Sequence, residues 1–154
     1  MNKIIATEQI SAIKKTKPIV LVGGCFDILH LGHLNFFRAA KQNTNRLVIL
    51  LESDKNVSKL KGINRPINNQ RERAEILAAI DIVDYVILLP PLDNDKKYFS
   101  IIQQIRPKFI AITKNDPIYE KKKNQARQVG AKILVVPKTN THSTTQLTKL
   151  LGID

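Results

Sequence analysis

The stretch Ile19-Val20-Leu21-Val22-Gly23-Gly24-Cys25-Phe26-Asp27-Ile28-Leu29-His30-Leu31-Gly32-His33 decides how the chain is read. Its first four residues are apolar with no polar alternation, which predicts a strand buried on both faces. The glycine pair allows a turn that brings backbone close to a ligand. Leu34, Phe37 and Ala40 then recur at helical spacing. Strand, glycine turn and helix together describe the ligand-binding end of an open α/β sheet. No Gly-Lys-Ser/Thr follows, so the turn is not a P-loop, and the missing third glycine separates it from the dinucleotide fingerprint.

Working outward, four more apolar runs have strand length: 47–51, 85–89, 109–112 and 132–136. Helical patterns lie between them. One carries Ile76, Leu77 and Ile80 behind a cap at Asn68 or Asn69, and another carries Ile101, Ile102 and Ile105 and stops before Pro107. A polar one runs from Tyr119 to Val129, and a last one starts at Ser143 with Leu147, Leu150 and Leu151. Thr7 is a candidate cap for a short leading helix with Ile10 and Ile13. The expectation is an α/β fold, a Rossmann-like three-layer sandwich with a parallel sheet of about five strands. Ser53–Asn69 and Pro90–Lys97 read as polar loops inside that rhythm, long enough to be functional.

The composition excludes several classes. With 154 residues, 43% hydrophobic and 25% charged, the chain is expected to be one globular domain over 1–154. No apolar run approaches the ~20 residues of a membrane span. The opening Met1–Glu8 has no secretory core. A single cysteine, Cys25, excludes a disulfide framework and fits a reducing cytoplasm. The net charge of +12 would suit nucleic acid, an anionic membrane or a polyphosphate ligand, or it reflects a composition rich in Lys, Ile and Asn. With 5% aromatic residues and no Trp, stacking on bases has little support, and nucleic acid is an unlikely partner.

His30 and His33 flank Gly32 where the helix should begin. Both imidazoles and the free N–H groups of the first turn would then share one space, a combination that favours an anion. Gly32 would leave room for a phosphate. The imidazoles would donate to phosphate oxygens, more strongly as charge develops in a transition state. Two other readings stay open on the residues alone. One is zinc on His30 and His33 with Cys25 or His142, although the usual His spacing of i, i+4 and a cysteine pair are missing. The other is a pair of histidines that only cap a helix.

Gly24-Cys25-Phe26-Asp27-Ile28-Leu29-His30-Leu31-Gly32-His33 resembles the H-x-G-H signature of the cytidylyltransferase-like nucleotidyltransferases. Leu60-Lys61-Gly62-Ile63-Asn64-Arg65-Pro66-Ile67-Asn68, then Arg73 and Ile82-Val83-Asp84, resembles the adenylyltransferase domain of ADP-heptose synthase. Ser143-Thr144-Thr145 resembles the family's closing S-T-T. The resemblance implies catalytic or nucleotide contacts at His30, His33, Lys41, Arg73 and Thr144. It implies a nucleotide pocket at Gly24, Cys25, Phe26, Asp27, Gly32, Asp116, Ser143 and Thr145, and phosphate contacts at Lys61 and Arg65. It further implies Mg²⁺ accompanying ATP or CTP, a small phosphorylated acceptor, a homodimer, no membrane and no protein-held metal. ATP is favoured, with a sugar phosphate such as heptose 1-phosphate as acceptor. The alternatives are cytidylyl transfer to a phosphorylated alcohol such as glycerol 3-phosphate, or a non-catalytic nucleic-acid-binding relative. Any kinase step would belong to a separate chain. Where the heptose branch reads K-G-G-D-Y, this chain reads Thr113-Lys114-Asn115-Asp116-Pro117, and Thr141-His142 stand where a glycine is usual. The polar Lys61–Arg65 segment is expected to be a mobile lid.

Overall fold

A computed structural model describes residues 2–42 and 46–152. The elements in order are β1 (Ile4–Ala6), a 3₁₀ helix (Thr7–Ala12), β2 (Ile19–Gly24), α1 (Leu31–Lys41), β3 (Arg46–Leu51), α2 (Asp54–Lys61), α3 (Gln70–Ala78), β4 (Tyr85–Leu88), α4 (Asp95–Ile105), β5 (Phe109–Thr113), α5 (Tyr119–Gln128), β6 (Lys132–Val136) and α6 (Thr144–Leu150). The six strands form one sheet in the order β1-β4-β3-β2-β5-β6, every pair parallel. This is the α/β Rossmann-like fold expected from the strand–helix rhythm, with one strand more than five.

The extra strand is β1. Three residues at a sheet edge carry no readable period, but Ile5 pairs with Ile87 and is buried. Side chains alternate across the sheet and build two cores. One joins Leu21, Leu50, Ile87 and Ile112 to Ile10 and Ile13 of the leading segment and to Ile101, Ile102 and Ile105 of α4. The other joins Val20, Val22, Ile49 and Leu51 to Phe37 and Ala40 of α1 and to Ala74 and Leu77 of α3. Leu47 to Leu51 of β3 are all 0% exposed, which is why that run is uniformly apolar.

Some expected faces turn out differently. Ile76 is 45% exposed, and Leu77 and Ala74 make the contact instead. Leu150 and Leu151 are exposed, while Thr148 is the buried residue of α6. β6 is an edge strand with Val135 half out in solvent, so it is not covered on both faces. Thr7 lies inside the 3₁₀ helix. Its cap is Ala6, whose N–H donates to Gln9 Oε1. Asn69 caps α3, with Glu72 closing a capping box.

The sheet order reverses between β2 and β5. α1 and α3 cover one face and α4 the other, as right-handed crossovers require. β2 and β5 therefore diverge at their carboxyl ends. The crevice there is where open α/β sheets hold ligands.

Candidate active site

The glycine pair ends β2 because two other groups need the space. A Cβ on Gly23 would lie 2.6 Å from Tyr98 Oη, and one on Gly24 would lie 2.8 Å from the Phe26 ring. Phe26 itself has φ 46°, a left-handed conformation uncommon for an aromatic residue. Its ring is clasped edge-on by His33, centroids 5.4 Å apart, and by Phe37 at 5.3 Å. Asp27 fixes the next step. Its carboxylate accepts the Ile67 and Asn68 amides and the Arg65 Nε at 2.6 Å. Burial pushes this carboxyl up, but the Ile67 amide, Arg65 and the Asn68 amide outweigh it and hold it below the ordinary range.

His30 is the N-cap of α1 and His33 its third residue. The Gly32 N–H donates to His30 Nδ1 at 3.1 Å, and the His30 N–H donates to His33 Nδ1 at 3.3 Å. A nitrogen that accepts carries no proton, so each neutral ring bears its hydrogen on Nε2. The two rings lie 3.9 Å apart. Burial, and then the neighbouring His30, lower His33 to about 4, and burial lowers His30 as well. The pair is thus two neutral Nε2–H donors fixed at a helix N-terminus. Capping and ligand binding are compatible here, since Nδ1 does the first and Nε2 is left for the second. Gly32 is needed for a reason other than the expected phosphate: a Cβ there would sit 2.6 Å from Thr141 Oγ1 and 2.9 Å from the His30 ring.

Three adjoining compartments meet at Gly23–Phe26. The first, about 230 Å³, lies between the β2 and β5 ends and is lined by Phe26, both histidines, Phe36, Asp116 and Thr141. A second, about 420 Å³, runs past Cys25, Glu52, Asn56 and Tyr98 toward Asp93 and Asp95. The third is lined by His33, Lys61, Arg65, Thr144 and Thr145. So the structure brings Gly24, Cys25, Phe26, Asp27, His30, Gly32, His33, Lys61, Arg65, Asp116, Ser143, Thr144 and Thr145 to one cleft system.

Within it, several of these side chains are already engaged. Arg65 is 4% exposed and its charge is balanced by Asp27. Asp116 accepts the Ile118 amide and the Lys122 ammonium, opening α5. Ser143 caps α6, and the Thr144 hydroxyl donates to the Ile28 carbonyl at 2.8 Å, tying α6 to the histidine loop. Lys61 is exposed, and nothing among the described residues pairs with it. Burial pushes the Cys25 thiol up, which suits a packed residue and not a nucleophile.

Two expected residues are elsewhere. Lys41 ends α1 at the opposite, amino end of the sheet, where its ammonium holds Asp84 at 2.7 Å and the Ile82 carbonyl at 2.6 Å. The helix carries it away from the cleft, because the histidines occupy its first turn. Arg73 is 1% exposed and looks inward. Its guanidinium donates to the carbonyls of Asn68, Cys25 and Glu52 and to Asp54. Arg73 positions the cleft walls and does not enter the cleft.

The polar loop expected over Ser53–Asn69 also needs correction. Ser53–Asn69 contains α2, capped by Ser53 and buried through Val57. The rest is bound through Asp27 and by the Ser58 hydroxyl on the Arg65 carbonyl, which leaves Gly62–Asn64 as an exposed tip. Zinc finds no third ligand: among the described residues no group of three or more His, Cys, Asp or Glu could hold a metal. Glu52, Tyr98, Thr141 and Lys122 were missed. Glu52 was within reach of sequence reasoning, since it directly follows a buried strand at its carboxyl end. Tyr98 carried no signal.

Residues 21–149 match the model of the cytidylyltransferase-like family. The chain is 39% identical over 107 residues to the bifunctional protein HldE of Campylobacter fetus, covering 69% of this chain and 22% of that protein. It is 37% identical over 127 residues to an FAD synthase of Thermococcus sibiricus, covering 80% of this chain and 83% of that one. The chain thus spans about a quarter of the length of the bifunctional relatives and most of the FAD synthase. In fold it is similar to a lipopolysaccharide core biosynthesis protein of Thermoplasma volcanium, TM-score 0.64 at 23% identity, over 82% of this chain and 99% of the other. No described helix is long and apolar enough to cross a membrane.

Proposed function

The chain belongs to the cytidylyltransferase-like family, and from that premise we propose that it transfers the adenylyl group of ATP to a small phosphorylated acceptor, probed first with sugar phosphates such as heptose 1-phosphate. The observation that carries this reading is the pair of Nε2–H imidazoles fixed by backbone at the β2–β5 crevice. In the reaction an acceptor phosphate oxygen attacks the α-phosphorus of ATP. The bond from that phosphorus to the bridging oxygen breaks, and pyrophosphate leaves. Such transfer needs positioning and charge stabilisation rather than a protein nucleophile. His30 and His33 donate to the α-phosphate as its charge builds. Lys61 meets the outer phosphates beside Thr144 and Thr145, and the base lies toward Phe36, Asp116 and Thr141. Mg²⁺ enters with the triphosphate, whose phosphate oxygens supply most of the ligands such an ion takes.

ATP is favoured over CTP because the relatives include an FAD synthase, whose product contains an adenylyl group, alongside the resemblance to ADP-heptose synthase. The loop after β5 bears on the choice. Asn115 has φ 65°, which Asn tolerates and glycine adopts freely, so Asn115→Gly preserves the backbone and removes an exposed polar side chain from the loop between the cleft-lining Thr113 and Asp116. The test is pyrophosphate release from ATP and CTP with a panel of sugar phosphates. Turnover is expected with ATP, and a sharper ATP preference in Asn115→Gly. Faster turnover with CTP across the panel would move the chain to the cytidylyltransferases. The working unit proposed is a cytoplasmic homodimer, which sedimentation velocity checks.

A further inference from the structure

Three neighbouring strands begin in segments that carry cations and no carboxylate. Lys14, Lys15 and Lys17 precede β2, Arg106 and Lys108 precede β5, and Arg127 and Lys132 flank the turn into β6. All are exposed. No Asp or Glu occurs from Gln9 to Phe26, from Lys96 to Asn115 or from Lys121 to Ile153. The sheet order sets β2, β5 and β6 side by side, so these acid-free stretches meet at its amino end. There the Lys108 amide meets the Ile19 carbonyl and the Lys132 amide meets the Lys108 carbonyl, both at 2.9 Å. Those bonds put successive cations one strand spacing apart, about 4.8 Å. Two of the side chains hold only neutral oxygens: Lys15 the Gln104 carbonyl at 3.3 Å, and Arg127 the Asn124 side chain at 3.2 Å. Asp81 and Asp84 share this end of the sheet but stand before β4, beyond β3, where Lys41 and Arg46 neutralise Asp84.

A groove of about 430 Å³ between the 3₁₀ helix and α4 extends this face. Lys15 and Arg106 line it with Ser11, Ser100, Gln103 and Gln104, and no carboxylate does. Cations mixed with hydroxyl and amide donors are the set that contacts phosphate oxygens. Large apolar groups are missing: among the described residues, none of the exposed ones falls within 11–18, 103–108 or 124–132. That absence separates the anionic partners. Protein interfaces centre on buried aromatic or aliphatic anchors, and lasting membrane attachment adds an apolar or acyl anchor to a basic patch. A phosphate backbone asks for cations and neutral donors alone. The small aromatic share counts against single strands, whose bases stack on protein, and leaves a duplex, whose bases stack on each other.

We infer that this amino-end face docks the phosphate backbone of a nucleic-acid duplex, without reading its sequence, at a site separate from the nucleotide cleft. Clustered like charges repel one another, and a row of phosphates relieves that repulsion while condensed counterions are released. Lysines predominate in the cluster. They act as point charges that suit phosphate better than the paired contacts by which a base edge is read. β2 spans roughly 20 Å from this face to the cleft, so duplex and MgATP bind at the same time.

The test uses the purified full chain and fluorescence anisotropy with labelled 20-bp duplexes of DNA and of RNA, two sequences of each, from 50 to 200 mM KCl. At least one kind of duplex should bind, and its two sequences should agree within about threefold. Which kind binds identifies the source of the backbone. The logarithm of affinity should fall against that of salt with a slope of about −3.5 to −5.5, as for roughly four to six phosphates neutralised. Lys17→Ala with Lys108→Ala should flatten the slope by about 2 and weaken binding at least tenfold at 100 mM. Lys96→Ala with Lys149→Ala removes the same charge from the first turn of α4 and the last turn of α6, and should weaken binding less than threefold. Thermal midpoints equal to the parent's show that both variants are folded. Saturating MgATP should leave duplex affinity within about twofold at 100 mM. No duplex binding at 50 mM, equal losses in the two double variants, a sequence preference beyond threefold, or displacement of the duplex by MgATP would overturn the inference. So would binding to phosphatidylserine vesicles or to polyglutamate that matches the duplex at 100 mM.

Discussion

His33 does two jobs with two nitrogens, and that division makes it testable. Nδ1 holds the His30 amide, while Nε2 faces the cleft. Replacing His33 with Ala should lower kcat by about 10²–10³ and leave KM for ATP within a few-fold, because the contact strengthens in the transition state. Unchanged turnover in a folded variant would remove His33 from the chemistry. Its protonation gives a second check. The fold lowers His33 from 6.5 to about 4, so between those values the unfolded chain takes up a proton that the folded chain resists. The associated stability is full above pH 6.5 and is lost as pH falls toward 4, up to about 3 kcal/mol. The His33 C2 proton should therefore titrate near 4 in NMR, and saturating MgATP should raise that midpoint. A free-enzyme midpoint near 6.5 would refute the buried, neutral pair. At this scale the sequence announced the histidines, because their spacing across Gly32 is local. It did not announce how Arg65 and Asp116 would be spent, because their partners, Asp27 and Lys122, are set by tertiary packing.

Among the elements, the strands were legible and the polar helix α2 was not. A run such as Leu47–Leu51 has one physical explanation, burial on both faces. Asp54–Lys61 buries only Val57, so its helix rests on the Ser53 cap and leaves almost no apolar period to read. β1 was missed for a related reason: three residues cannot display an alternation. Arg73 shows how an element can serve the site without entering it. From α3 it reaches across to three carbonyls, on the chain after β2, after β3 and before α3 itself, and to Asp54 at the start of α2. Arg73→Met should lose those bonds while keeping the stem's volume, and should cost about 2–4 kcal/mol in urea unfolding, since each buried carbonyl left unmet costs on the order of 1 kcal/mol or more. In Arg73→Lys part of that loss should return, with KM for ATP within about twofold of the parent. A large, selective rise in KM for ATP in a stable Arg73→Lys would instead put the guanidinium on the phosphates.

Across the whole molecule, one cluster of exposed cations lies at the end of the sheet away from the cleft. The strands begin beside Lys14, Lys15, Lys17, Arg106, Lys108 and Lys132, all exposed, in segments tied together where the Lys108 amide meets the Ile19 carbonyl and the Lys132 amide meets the Lys108 carbonyl. The cleft opens at the other end of strands such as β2, six residues long, a span of roughly 20 Å at ~3.3 Å per residue. The Debye length is about 30 Å at 10 mM salt and about 8 Å at 150 mM. So the amino-end lysines should reach a triphosphate in dilute buffer and be screened from it near physiological ionic strength. Lys61, in the cleft and unpaired among the described residues, should act at both. The prediction is a split: the double change Lys17→Glu with Lys108→Glu raises KM for ATP several-fold at 10 mM KCl and leaves it within about 1.5-fold at 150 mM, whereas Lys61→Ala raises it at both. Steady-state kinetics at the two salts decides the matter. If the amino-end variant weakened ATP at 150 mM, the net charge of +12 would be coupled to the site through structure and not through its field.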